Sequence, residues 1–156
     1  MRGKKAKIRE LKPDNRYNST VVTKFINYIM HDGKKSIALD NVYSALDILA
    51  EKSKMKQLEA FEKALGNIKP KLEVKSRRVG GANYQVPVPV TEERQLTLAL
   101  RWIIKAAREG RGSSKFSDSL ARELLAAFNK EGNAYKKMED VQKMAEANRA
   151  FAHFQW

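Results

Sequence analysis

"VKSRRVGGANYQVPVPV", residues 74 to 90, interrupts a chain that otherwise shows helical spacing. It holds three cations, Lys75, Arg77 and Arg78, then a double glycine, a lone tyrosine and two prolines alternating with valines. Residues 71 to 79 and 84 to 90 alternate with period two, and "GGAN" between them supplies residues that accept positive φ, so the stretch predicts a β-hairpin. Pro87 and Pro89 stand two apart and remove N–H donors from one edge only, which a two-stranded ribbon tolerates and a wider sheet does not. With the turn centred on Gly81 and Ala82, Lys75, Arg77 and Val79 share a face with Tyr84, Val86 and Val88, while Arg78 lies opposite beside Gln85. A lone ribbon is marginal in water, so its base is expected to lean on helices while its tip extends. Cations on both faces suit entry into an RNA groove, and Tyr84 suits stacking on a base. The plainer alternative is a hairpin that caps a helical core with its cations merely solvated.

Helical patterns flank the hairpin on both sides. "NST" at 18–20 offers caps for a helix with Val21, Val22, Phe25, Ile26 and Ile29 on one stripe. "HDGKK" stops it, leaving Lys34 and Lys35 in the connection. A second helix turns Leu39, Val42, Tyr43, Leu46 and Leu49 inward, and a third runs through Leu58, Phe61, Leu65 and Ile68 until Pro70. Beyond the hairpin, Thr91 is placed to cap a helix whose first turn carries Glu92 and Glu93, favourable at the positive end of its dipole. Its stripe is Leu96, Leu100, Ile103 and Ala107. The connection 108–118 bears Arg108, Arg111 and Lys115. Ser117 is the expected cap of the next helix, with Leu120, Leu124 and Phe128 inside and Gly132 at its end. A last helix faces Met138, Val141 and Ala145 inward before an aromatic tail, 148–156. The fold class expected is mainly α: a bundle of about six helices, one protruding two-stranded hairpin arm over 71–90, and a basic N-terminal extension over 1–17, all in a single domain spanning 1–156.

Charge narrows the function. The chain of 156 residues has 31 Lys and Arg against 18 Asp and Glu, a net charge of +13, which points to a polyanionic partner. The segment from Arg2 to Arg16 alone has seven basic and two acidic residues and little apolar content, so Arg2, Lys4, Lys5, Lys7 and Arg9 are expected on an arm that orders on its partner. At 42% hydrophobic residues the rest can bury a core. No cysteine is present, which excludes disulfides and thiolate metal sites. "LTLALRWIIKAA" is broken by Arg101 and Lys105, so no membrane segment is expected, nor a signal peptide, and the protein reads as soluble and intracellular. His31 and His153 are far apart in sequence, neither a P-loop nor a dinucleotide fingerprint occurs, and paired carboxylates such as Glu92 with Glu93 sit among lysines. No enzyme, metal or cofactor is expected.

"DGKKS", "LEVKSRRVGGANYQVPVPV", "LRWI", "KKMEDVQKMAEANRAFAHF" and the closing tryptophan closely resemble the bacterial type of the seventh small-subunit ribosomal protein family, over about Pro13 to Trp156. The resemblance implies a six-helix domain with a β-ribbon arm that binds small-subunit ribosomal RNA directly and starts assembly of the subunit head. It implies the ninth and eleventh small-subunit proteins as neighbours, in the cytoplasm or an organelle. It maps RNA contacts to the basic arm, Lys34, Lys35, Lys75, Arg77, Arg78, Arg94, Arg111, Ser114 and Lys115. The hairpin tip, Gly80, Gly81, Ala82, Asn83 and Tyr84, is implied to lie near messenger and exit-site tRNA. "TEERQ" departs from the family in placing glutamates beside Arg94, the 108–118 loop is one residue longer with Phe116 in place of a methionine, and "KKMED" stands for "KKRED". The rival from another class is an architectural double-stranded DNA-binding protein, since basic β-arms with prolines bend duplexes. Against it, the prolines sit on the stem and no dimer seam is apparent.

Overall fold

A computed structural model of the chain describes residues 3 and 10–154; Arg2, Lys4, Lys5, Lys7 and Arg9 lie outside the described residues. Among those described, six α-helices, α1 (Thr20–Ile29), α2 (Lys35–Ser53), α3 (Gln57–Ile68), α4 (Glu92–Glu109), α5 (Phe116–Phe128) and α6 (Gly132–Ala147), surround one core. An antiparallel hairpin of β1 (Leu72–Val79) and β2 (Ala82–Pro89) separates α3 from α4, and a 3₁₀ turn (Arg149–Phe154) follows α6.

The expected stripes form the core. Val22, Phe25 and Ile26 of α1 are buried, and the Phe25 ring centroid is 5.1 Å from that of Phe61 on α3. Leu46, Leu49, Leu65, Ile68, Leu100, Ile103, Leu120 and Leu124 are fully buried or nearly so, each worth about 1.5–3 kcal/mol of burial. Leu39, Tyr43, Leu58, Leu96 and Phe128, expected inward, are only partly buried against this cluster. Helix α5 is the central element, packed on α2, α3, α4 and α6. Its small residues Ser119, Ala121 and Ala127 allow that approach, and buried Ser119 donates to the Ala107 carbonyl at 2.7 Å, so no polar atom is orphaned there.

Three boundaries differ from expectation. Lys35 opens α2 rather than lying in the connection, and α5 begins at Phe116 with Lys115, not Ser117, at its cap position. Gly132 does not end α5; it opens α6. At φ 90° it occupies backbone space that side chains rarely enter, and a Cβ there would stand 2.9 Å from that of Ala126. The glycine lets α6 start against α5, where Glu123 Oε1 accepts the Ala134 N–H at 2.8 Å.

The N-terminal arm also ends earlier than residue 17. Asp14 is 7% exposed; its Oδ2 accepts the N–H groups of Arg16 and Tyr17, and its Oδ1 the Tyr43 hydroxyl at 2.7 Å. Arg16 meets Asp47 at 3.0 Å. A carboxylate that caps a turn and takes a phenol hydrogen bond pins this segment to α2, so Arg16 belongs to the body.

Candidate nucleic-acid interface

The hairpin turn is centred on Gly80 and Gly81, one residue before the expected centre. Both have positive φ, 58° and 90°, as a two-residue type I′ turn requires; Ala82, with a Cβ, is disfavoured there and instead pairs with Val79. Lys75 consequently pairs with Val86, Arg77 with Tyr84, and Arg78 with Asn83 rather than Gln85. Because the register moves by two, the shared faces survive. The proline logic holds too. Val90 donates to the Lys71 carbonyl at 3.1 Å, and since successive N–H groups alternate sides, Pro87 and Pro89 lack donors only on the edge away from β1.

The ribbon leans on the body further out than expected. β1 and β2 pack on α6 and β2 on the 3₁₀ turn, Val86 is fully buried, and Tyr84 is half-buried. Its ring centroid lies 5.2 Å from that of Phe151 and 4.9 Å from that of Phe154. The tyrosine expected to stack on a base is thus packed on the chain's own tail, and the exposed tip is Gly80 to Asn83.

At the stem, the carboxylate of Glu73 sits 3.1 Å from Lys75 Nζ and 3.3 Å from Arg94 Nε. Lys75 and Arg94 are half-exposed while Glu73 is only 15% exposed, so one partly buried acid pairs with two outward cations. Arg78 is exposed on the opposite face, and Arg77 is half-buried. Glu93, one of the glutamates beside Arg94, is 4.0 Å from Lys24 Nζ on α1.

A second group of cations lies at the other end of α4. Lys34, the cap residue of α2, and Arg111, from the connection before α5, line one open groove of about 440 Å³ together with Arg108. Arg108 Nη2 donates to the Ile29 carbonyl at 3.2 Å, and Arg111 Nε to the Ser114 carbonyl at 2.9 Å. Ser114 therefore positions Arg111 through its backbone. Lys35, the first residue of α2, and Lys115, the cap residue of α5, are exposed; neither lines this groove, and Lys35 lines a separate one with Lys12 and Tyr43.

Helix α4 joins the two groups; it carries Arg101 and Lys105, read in the sequence only as breaks in an apolar run, and also Arg108, which was expected in the connection. Arg94, Arg101 and Arg108 recur at seven-residue steps; with about 20° of drift per heptad they share one face, as does Lys105. All four are exposed. Arg101 stands 5.5 Å over the Tyr28 ring and Lys105 is 3.7 Å from Glu109. From Arg94 to Arg108 the axis rises roughly 21 Å. The seven-residue recurrence of arginine was the available signal for this stripe.

Among the described residues no cluster of His, Cys, Asp or Glu could hold a metal ion, and no helix is long and apolar enough to cross a membrane. The arrangement is that of a polyanion-binding surface: exposed cations at two ends of a rigid helix, fixed from behind by backbone carbonyls and carboxylates.

A family model described as ribosomal protein S7p/S5e matches residues 1–149. Small ribosomal subunit protein uS7 of Thermosipho melanesiensis is 55% identical over 156 residues, covering 100% of both chains. The protein of the same name from Nitratiruptor sp. is 57% identical over 157 residues, again with 100% of each chain covered, and that from Beijerinckia indica 56% identical over 151 residues, 97% of this chain and 96% of the relative.

Proposed function

The chain belongs to the ribosomal protein S7p/S5e family, a structural and non-enzymatic constituent of the small ribosomal subunit, and from that membership we propose how its surfaces serve the subunit. Small-subunit ribosomal RNA is held at both ends of α4: the hairpin cations Lys75, Arg77 and Arg78 with Arg94 at the start of α4 take one segment, and Lys34, Lys35, Arg111 and Lys115 take another, with Arg101, Lys105 and Arg108 between. The N-terminal residues Arg2, Lys4, Lys5, Lys7 and Arg9 add phosphate contacts. Affinity comes from counterion release, and specificity from presenting two RNA segments in one fixed geometry.

The observation that carries this reading is the placement of two cation groups at the two ends of one continuous helix. A rigid spacer converts phosphate binding into architecture, which is what nucleating the fold of the subunit head demands. The exposed tip, Gly80 to Asn83, with Tyr84 braced behind it, suits a second task beside exit-site tRNA and messenger, where a narrow backbone can lie close to a strand. The ninth and eleventh small-subunit proteins are the proposed protein neighbours, and the cytoplasm the compartment.

Reconstitution tests the proposal. Small-subunit ribosomal RNA should bind the full chain with preference over an equal mass of duplex DNA, and chemical footprinting should find two protected RNA segments. Protection of one segment only, unchanged when Lys34 and Arg111 are replaced by alanine, would refute the two-ended arrangement. Equal binding of duplex DNA would favour the architectural alternative.

A further inference from the structure

The groove between the α1–α2 connection and the α4–α5 connection differs from a phosphate site in having an apolar floor. Ile29, Ala38 and Phe116 line it, and Ile37, beside them at its edge, is 56% exposed. Lining one groove with Ile29, Ala38 and Phe116, it belongs to an apolar patch and is not a lone exposed side chain. Asn41, one turn further along α2, donates through Nδ2 to the Ile37 carbonyl at 2.7 Å. Its amide is therefore oriented, and Asn41 lines the groove with Oδ1 as the acceptor it can offer.

The rim is cationic. Lys34, Arg108 and Arg111 line it together with His31, and among the described residues no carboxylate does; Asp32, next to His31 in sequence, is 3.2 Å from its Nδ1. Each arginine uses one guanidinium nitrogen on the Ile29 or Ser114 carbonyl, and both are exposed, so each has donors left to offer an anion.

We propose that this groove receives one unstacked nucleotide of single-stranded RNA, its base on Ile37 and Phe116 and its flanking phosphates on Lys34, Arg108 and Arg111. The volume, about 440 Å³, lies in the range of clefts that enclose small organic ligands. An extruded base offers a flat apolar face for the floor and an N–H edge for Asn41 Oδ1, and its two phosphates complement the rim. A loop or bulge thus locks the second RNA segment in register. The proposal rests on the RNA-binding reading above and adds base recognition to it.

Titration of the full-length protein with a hexa-adenylate, and with the same strand carrying one central abasic site, separates the two. Base insertion predicts that the intact strand binds at least about 5-fold more tightly, with shifts in the Ile37 methyl and Phe116 ring NMR signals. Ile37→Ser, a change at an exposed position that leaves the core intact, should remove the preference and keep the abasic affinity. Phe116→Leu should weaken the preference by itself. Equal affinity for both strands, with binding to small-subunit ribosomal RNA retained, overturns base insertion and spares the RNA reading. Loss of both strands and of ribosomal RNA binding overturns both. Displacement of the oligonucleotide from Ile37 by an acidic apolar peptide, with no abasic effect, would make the groove a protein-docking site and overturn the proposal.

Discussion

The ring of Tyr84 on β2 lies 4.9 Å from that of Phe154 in the C-terminal 3₁₀ turn, so the tail braces the hairpin three residues from its glycine turn. Phe151 completes the contact at 5.2 Å. Aromatic pairs of this kind contribute about 0.5–1.5 kcal/mol each. Phe154→Ala should therefore leave the global melting transition nearly unchanged while raising amide exchange in β1 and β2 by roughly 5- to 10-fold, because a locally held element opens locally. Hydrogen exchange followed residue by residue checks this, and unchanged hairpin protection would show that the brace carries no weight.

Glu73 neutralises two cations that face outward. Because Lys75 and Arg94 are half-exposed, the pairing stabilises the fold by less than about 1 kcal/mol. Glu73→Gln should accordingly cost little stability yet tighten binding to small-subunit ribosomal RNA and steepen its salt dependence, since two cations no longer share an internal counterion. A weaker complex from the variant would mean that Glu73 acts by orienting the cations.

Burial, followed by the hydrogen bond to Asp14, raises the Tyr43 phenol from 10.0 to about 12. A folded-state value above the unfolded one means that the unfolded chain loses its proton first as the pH rises. The stability that this phenol contributes is thus fully present below pH 10 and lost between pH 10 and about 12. Tyr43→Phe should reduce that loss. Asp14→Ala removes three accepted hydrogen bonds and should destabilise by roughly 2–4 kcal/mol at neutral pH, checked by urea denaturation.

Gly132→Ala places a methyl 2.9 Å from the Ala126 Cβ at φ 90°. The strain should cost about 1–3 kcal/mol and loosen the start of α6 on α5. A thermal shift within error of the parent would contradict the packing of that junction.

The helical stripes and the hairpin were legible because each rests on local chemistry, the period of apolar residues for the helices and the glycines and prolines for the ribbon; the caps were less so, since Lys115 replaces Ser117 at the start of α5 and Gly132 opens α6. The turn centre was misplaced because "GGAN" offers two adjacent pairs and only the demand for two positive φ values selects Gly80 and Gly81. Long-range pairing hid the rest. Asp14 looks like part of a basic arm until Tyr43, 29 residues on, supplies its partner, and Tyr84 looks free until the chain's end returns to it. The groove that unites Lys34 with Arg111 depends on two connections 77 residues apart, which no local pattern reports. The exposed stripe on α4, by contrast, was visible as arginines seven residues apart and was passed over because the same window read as apolar.

The salt dependence of binding to small-subunit ribosomal RNA, measured for the parent chain and for Lys34→Ala with Arg111→Ala and Arg77→Ala with Arg78→Ala, tests the account most directly. Electrostatic attachment at two ends predicts that log affinity falls linearly with log salt, that each pair of substitutions lowers the slope by about 1 to 2, and that the two losses add. A flat dependence, or a slope that only one of the two pairs alters, would contradict it.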